Sequence, residues 1–249
     1  MKILGIDVGG TGIKGAIVDT KIGELITDRH RILTPQPATP EAVIHSISEL
    51  IREFKWKAQV GVGFPAAVVN EIVRTASNID NSWIGVNAAA LIENETGCPT
   101  HLVNDVDAAG FAEMKFGSGK NENGVVLIAA FGTGIGTAIF NEKKLLPNTE
   151  LGHLFLKNMK AEHYAANSIR EKEELDYESW GKRVNEYLGH LENLFYPELI
   201  IIGGGISKKY DQFSEYITIQ TPVVPAQNRN HAGIIGAALA AKNEHLRKV

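Results

Sequence analysis

Two hydrophobic patterns alternate along this chain. Short continuous apolar runs are closed by glycines, and longer segments carry apolar residues at helical spacing. Residues 2–8 (KILGIDV) and 13–19 (IKGAIVD) flank a glycine-rich turn and predict strand, turn, strand. Residues 24–33 predict a third, antiparallel strand. The proline-rich segment 34–40 (TPQPATP) predicts a stiff loop. Its end predicts a helix start, with Thr39 as N-cap and Pro40 in the first turn. Val43, Ile44, Ile47, Leu50, Ile51 and Phe54 then recur with helical period. A buried-type strand at 58–64 follows, then a polar, turn-rich loop at 75–85 of the kind that carries specificity. A helix ending near Gly97, a strand at 100–104 and a helix at 105–117 complete the first half.

The second half repeats this order. Strands at 125–131 and 136–141 flank a second glycine turn. Residues 160–175 predict charged helix, and 179–195 a long amphipathic one. Residues 198–207 predict a strand running into a third turn, Gly203-Gly204-Gly205, and 221–226 a short extended stretch. The chain closes in a helix rich in small residues. The two glycine turns are related in sequence: Gly132 to Ile139 matches Gly10 to Ile17 at six of eight positions. A duplicated unit is therefore expected, gripping one charged ligand from two sides. Glycine at such tips permits positive φ and lets backbone N–H groups approach an anion.

Composition narrows the picture. A chain of 249 residues has room for two modest domains. The expected division is residues 1–105 plus 232–249, and residues 106–231. A net charge of −4 argues against a general nucleic-acid binder. Cys98 is the only cysteine, which excludes an intrachain disulfide and a cysteine-based zinc cluster. The N-terminus enters a strand-like run without signal-peptide character, and no apolar run approaches the roughly 20 residues that span a bilayer. A cytoplasmic protein without membrane contact is expected.

Several motifs carry chemistry. Gly10-x-Gly12-x-x-Gly15 matches the bare dinucleotide pattern, but strand-like AIVD follows where that mechanism needs a helix. Asp7 ends the first strand beside the expected anion site, where a carboxylate suits Mg²⁺ better than phosphate. Lys14 lies just past the tip, as a cation for a transferring phosphoryl group or as a solvated strand lysine. Asn104 and Asp105 join a strand to a helix. Either an aspartate caps that helix, or Asp105 is a general base with Asn104 a sugar-hydroxyl partner. Glu150 and His153 lie three apart and form either a polyol clamp or a structural pair on one face of a turn. Gly203, Gly204 and Gly205 suit either a phosphate or nucleotide seat or a close helix–strand contact. Lys115, Lys120, Arg183, Lys208 and Lys209 form a basic track or are scattered surface cations.

Asp7-Val-Gly-Gly-Thr-Gly-Ile-Lys14, Asn104-Asp105, Gly132-Thr-Gly-Ile-Gly136, Glu150-Leu-Gly-His153 and Gly203-Gly-Gly205 occur in the order found in ROK sugar kinases. The chain resembles that family over nearly its whole length, and within it the polyphosphate-dependent glucokinases. The segments 34–40, 78–85, 146–153 and 221–226 carry the narrower likeness. The resemblance implies a two-lobed α/β fold of the actin-like ATPase (ribonuclease H-like) type, with a duplicated glycine hairpin and an interdomain cleft. It implies transfer of a terminal phosphoryl group from polyphosphate, with ATP as a further donor, to the 6-hydroxyl of glucose. Asp105 becomes the base, and Asn78, Asn104, Glu150 and His153 the sugar ligands. Gly9, Gly10, Thr11, Gly12, Lys14, Gly132, Thr133, Gly134, Gly204 and Gly205 become phosphate contacts, and Asp7 the Mg²⁺ anchor. Many ROK members carry a cysteine-rich zinc motif that this chain lacks, so zinc is not expected. A homodimer is expected. The rival readings are an ATP-dependent kinase of another hexose and a non-catalytic sugar sensor. ROK transcription factors carry an N-terminal DNA-binding extension, for which a first strand at Lys2 leaves no room.

Overall fold

The computed structural model describes residues 1–77, 79–228 and 231–248. They divide into two compact units, Met1–Ala112 with His231–Val249, and Glu113–Asn230.

In the first unit, strands β1 (Lys2–Gly9) and β2 (Gly12–Asp19) form an antiparallel hairpin in which Gly9 faces Gly12. The expected third strand is broken into β3 (Glu24–Leu25) and β4 (His30–Ile32), both pairing with β2. Helix α1 (Pro40–Glu53) starts where the sequence places it, with Thr39 Oγ1 accepting from the Ala42 N–H at 3.4 Å. Strand β5 (Val60–Phe64) is parallel to β1. A small hairpin, β6 (Val68–Val69) and β7 (Ile72–Val73), precedes a single 3-10 turn at Asn81–Trp83. Helix α2 (Ala88–Thr96) is capped by Asn87 and ends on Gly97 at φ 71°, in the left-handed conformation that glycine tolerates best. Strand β8 (Thr100–Asn104) completes the sheet and runs directly into α3 (Asp105–Phe116). The sheet order is β3-β2-β1-β5-β8.

In the second unit, β9 (Val126–Phe131) and β10 (Ile135–Asn141) form the corresponding hairpin, and β11 (Lys144–Leu146) extends it. Hairpin β12 (Phe155–Leu156) and β13 (Met159–Lys160) leads into two short helices, α4 (Glu162–Ala165) and α5 (Asn167–Lys172). The long helix α6 (Tyr177–Phe195) is capped by Asp176 and buries Trp180, Val184, Tyr187, Leu188 and Leu191 in one core with Leu127, Phe131, Ile200 and Ile202. Strands β14 (Leu199–Gly203) and β15 (Val223–Pro225) give the order β11-β10-β9-β14-β15. The two sheets thus share one connectivity.

The last helix, α7 (Ala232–Lys248), belongs to the first unit. Its small residues let backbone meet backbone. A side chain at Gly5 would strike the Ile234 carbonyl, and one at Gly61 the Ala237 carbonyl. The division between units falls inside α3, where a break at its first residue was expected. The buried Glu113 carboxylate explains the position: it accepts N–H groups from Ser118, Gln227 and Asn228, all in the second unit.

Candidate active site

In the first unit, the β1–β2 tip is held through its carbonyls. Thr34 Oγ1 donates to the Gly9 carbonyl at 2.5 Å, and Arg31 Nη2 to that of Thr11 at 3.0 Å. At the second tip, the Ser168 N–H donates to the Gly132 carbonyl at 3.0 Å, and Ser168 Oγ to that of Thr133 at 2.6 Å. Carbonyls facing an anion would repel it, so engaging them with protein donors suits an anion site. Positive φ is not the reason for these glycines: none of Gly9, Gly10, Gly12, Gly132 or Gly134 adopts it. A side chain at Gly10, Gly132 or Gly205 would meet no neighbouring atom within 4 Å. Packing therefore does not require glycine there, and the open space beside each leaves room for a ligand. Gly204 differs. Its φ of 79° and its approach to the Phe131 carbonyl make it a chain-reversal residue.

Asp7 faces Lys14 across the β1–β2 ladder, with Lys14 Nζ 3.5 Å from Oδ2. Burial pushes the Asp7 carboxyl above its ordinary range, and Lys14 and Arg29 pull it back. Gly233, at the start of α7, lies against this carboxyl. A recess of about 280 Å³ beside the tip is lined by Gly9, Gly10, Thr34, Gln36, Ser77 and Asp80. Its polar loop is anchored by Trp83, fully buried, whose Nε1 donates to the Ala38 carbonyl at 2.8 Å. Asn78 lies outside the described residues.

Asp105 opens α3, and its Oδ1 accepts from the Val106 N–H at 2.9 Å. The helix cap is neither aspartate but Asn104. Its Oδ1 accepts from Val106 and Asp107, and its Nδ2 donates to the Ala66 carbonyl at 3.1 Å. Both ends of that amide are thus held by protein, which fixes where the neighbouring Asp105 begins its helix.

In the second unit, Glu150 precedes a 3-10 turn, Leu151–His153. Thr137 on β10 positions that turn: its hydroxyl donates to the Thr149 carbonyl at 2.5 Å and accepts from the Leu151 N–H at 3.1 Å. Burial raises the Glu150 carboxyl above its ordinary range. Glu162 adds to this, while His153 and Lys160 oppose it. Glu162 is the residue that sequence reasoning missed. It opens α4, its Oε1 lies 3.3 Å from His153 Nε2, and its carboxylate touches the position where Gly134 would carry a side chain. The only signal was a glutamate in a charged stretch, which resembles any solvated helix face. Two members of the expected basic track lie in different settings. Lys209 lines a recess beside Gly132, whereas Arg183 is committed to Glu173 at 2.8 Å and to the Tyr164 carbonyl.

The sequence signature of the ROK family matches residues 3–164. Polyphosphate glucokinase of Mycobacterium tuberculosis (strain CDC 1551 / Oshkosh) is 50% identical over 238 residues, covering 95% of this chain and 90% of that protein. Glucokinase of Streptomyces coelicolor is 27% identical over 314 residues, covering 96% and 97%. The crystal structure of inorganic polyphosphate/ATP-glucomannokinase from Arthrobacter sp. strain KM superposes with a TM-score of 0.94 at 43% identity, covering 98% of this chain and 99% of that one. With its duplicated glycine hairpins, its acid at the end of β8 and this similarity along nearly its whole length, the chain belongs to the ROK family.

Proposed function

We propose that this chain is a polyphosphate-dependent glucokinase. It moves the terminal phosphoryl group of inorganic polyphosphate, with ATP as a further donor, to the 6-hydroxyl of glucose. The observation that carries this reading is 50% identity with a polyphosphate glucokinase, sustained over 95% of the chain.

The geometry of each unit supports the following assignment of roles. Asp105, fixed at the head of α3, accepts the proton of the 6-hydroxyl as that oxygen attacks phosphorus. The bond from phosphorus to the bridging oxygen breaks, and the electron pair leaves with the shortened donor. Glu150, His153 and Glu162 bind sugar hydroxyls: a carboxylate accepts from a hydroxyl, and a carboxylate beside an imidazole offers both acceptor and donor. Asn104 holds Asp105 in place and has one amide hydrogen engaged by Ala66. The tips at Gly9–Gly12 and Gly132–Gly134, with Lys14 and Gly205, hold donor phosphates.

Among the described residues, no cluster of three or more His, Cys, Asp or Glu side chains forms a metal cage. Mg²⁺ in phosphoryl transfer needs less, since one or two carboxylates, water and substrate phosphates complete its shell. Asp7, desolvated and set beside a glycine tip, fits that donor set. When bound, the ion neutralises phosphate charge. The chain has the single cysteine Cys98, so its residues do not fit a cysteine-based structural zinc site. The protein is proposed to act as a homodimer in the cytoplasm, without nucleic-acid or membrane partners. Among the described residues, no helix is long and apolar enough to cross a membrane.

The Arthrobacter relative's name includes mannose, which favours mannose as a second acceptor. Initial rates with polyphosphate, ATP and no donor, each with glucose and mannose, test the reading. Turnover with ATP but none with polyphosphate sinks the donor assignment.

A further inference from the structure

Strand β8 ends the first sheet, and among the described residues no strand pairs with its outer edge. The β6–β7 hairpin closes that edge instead. Its turn consists of Asn70 and Glu71, between the paired Val69 and Ile72. Both turn residues have positive φ, 52° and 63°. A turn of this type favours Asn at the first position and Gly at the second. Glutamate in the left-handed region is strained, and strain that persists in a fold points to work done by the side chain.

The Glu71 carboxylate is engaged at both oxygens. Oε2 accepts the Leu102 N–H at 2.8 Å, and Oε1 lies 2.7 Å from His101 Nδ1. Both partners lie on β8, and Glu71 and His101 are half-buried. At the far end of the same strand, Asn104 Nδ2 donates to the Ala66 carbonyl at 3.1 Å, just before β6. The segment 66–73 therefore clasps β8 at two places, Glu71 on His101 and Leu102, and Ala66 on Asn104. The segment is braced at its base. The Arg74 N–H donates to the Ala67 carbonyl at 2.8 Å, and the Ala67 N–H to Thr75 Oγ1 at 2.9 Å. Asn104 in turn caps α3 by accepting from Val106 and Asp107.

We propose that Glu71 is a positioning residue for Asp105. Its carboxylate holds the hairpin against β8 through charge-assisted hydrogen bonds, which are stronger than neutral ones. The hairpin presents the Ala66 carbonyl to Asn104, and Asn104 fixes the first turn of α3, where Asp105 stands. Without Glu71 the Ala66 carbonyl shifts, Asn104 loses one of its anchors, and the approach of Asp105 to the sugar hydroxyl broadens. Small misplacement of a reacting group lowers rate even when the change lies far from the chemistry. The inference rests on the reading of Asp105 as the base.

The test uses Glu71→Gly, which suits the turn better than glutamate and removes only the clasp. It should lower kcat about tenfold, with KM for polyphosphate unchanged and calorimetric glucose binding at full stoichiometry. Glu71→Gln keeps an acceptor for Leu102 and a polar partner for His101, and should stay within about twofold of wild type. His101→Ala removes one of the bonds and should lower kcat about threefold, which keeps the test open if Glu71→Gly does not fold. In an Asp105→Asn background, Glu71→Gly should add no further loss, because both changes act through one group. A tenfold loss that recurs in that background overturns the route through Asp105. Glucose stoichiometry that falls in step with kcat overturns positioning in favour of a folding role. Wild-type kcat in both Glu71→Gly and His101→Ala overturns the clasp, and a Gln variant as slow as the Gly variant overturns its hydrogen bonds. Near-normal turnover in Asp105→Asn, or a wild type that phosphorylates no glucose, fails the earlier reading instead. Amide exchange of Leu102, Val106 and Asp107 then decides the clasp alone: faster exchange in Glu71→Gly supports it, and unchanged exchange overturns it.

Discussion

In the first sheet Gly9 pairs with Gly12, and two residues, Gly10 and Thr11, turn the chain. In the second, Phe131 pairs with Ile135, and three residues, Gly132, Thr133 and Gly134, do the same work. The sequence echo between them is close, yet the ladder register slips by one. The side chains differ more. The positions that echo Asp7 and Lys14 are Ala129 and Gly136, so one hairpin carries an ion pair and the other carries no charge. Strand β8 runs into Asn104 and Asp105, while its counterpart β15 runs into Ala226. Duplication preserved the scaffold and not the chemistry. The first unit holds Asp105, the proposed base, and Asp7, the proposed metal anchor. The second holds a carboxylate–imidazole group at Glu150, His153 and Glu162, and the recess that Lys209 lines. Substitutions in the first unit should therefore act on kcat, and those in the second on KM.

Asp105→Asn should have the largest effect, lowering kcat by about 10²- to 10⁴-fold, the usual worth of a general base. KM for glucose and the melting temperature should change little. Near-normal turnover would move proton transfer elsewhere and remove the catalytic half of the contrast. Asp7→Asn should lower kcat by about 10²-fold as the metal anchor is lost. Its stability should move the opposite way. A carboxyl raised in the folded state contributes stability at low pH that is lost as pH rises through the folded pKa. At neutral pH without Mg²⁺, ionised Asp7 is therefore a cost, and the amide variant should melt higher than wild type. Mg²⁺ should raise the melting temperature of wild type and leave the variant unchanged. A variant that melts lower contradicts this account of burial.

Thr137→Val keeps the shape but removes the hydroxyl that positions the Glu150 turn, leaving the half-buried Leu151 N–H without its partner. Such a loss costs about 1–3 kcal/mol, so KM for glucose should rise about tenfold. KM for polyphosphate should hold, and Thr137→Ser should restore the glucose value. Equal changes in both KM values would indicate general loosening of the second unit. The smallest effect concerns pH. Glu150 is raised chiefly by burial and further by Glu162, so kcat/KM for glucose should fall on the acid side above the ordinary glutamate range. In Glu162→Gln one of the two raising influences is gone, and that acid limb should move to lower pH. A limb that stays in place would detach it from Glu150.

Much of the fold was legible in the sequence because its signals are local. The cap at Thr39 and Pro40, the stop at Gly97 and the hairpin at Gly9–Gly12 each lie within a few residues. The site was legible in part. Asp105 stood out as an acid between strand and helix, and Glu150 and His153 as a close pair. Glu162 did not, because its meaning lies in His153 and Gly134, which no helical or strand period links to it. The capping role of Asn104 was not legible, since a cap is recognised only once the helix start is fixed to the residue.

The sequence by itself determined the duplicated hairpins, the alternation of strands and helices, and the acid at the end of β8. Those follow from side-chain period, turn chemistry and capping, which act over one or two turns of chain. The tertiary structure decided which glycines are open and which are forced, and the one-residue slip between the two tips. It also decided which carboxylate joins His153 and which two of many cations share the Tyr177 ring. Several of those depend on segments far apart in sequence, as Lys209 against Tyr177 and Gly5 against Ile234, and such contacts leave no trace in local pattern.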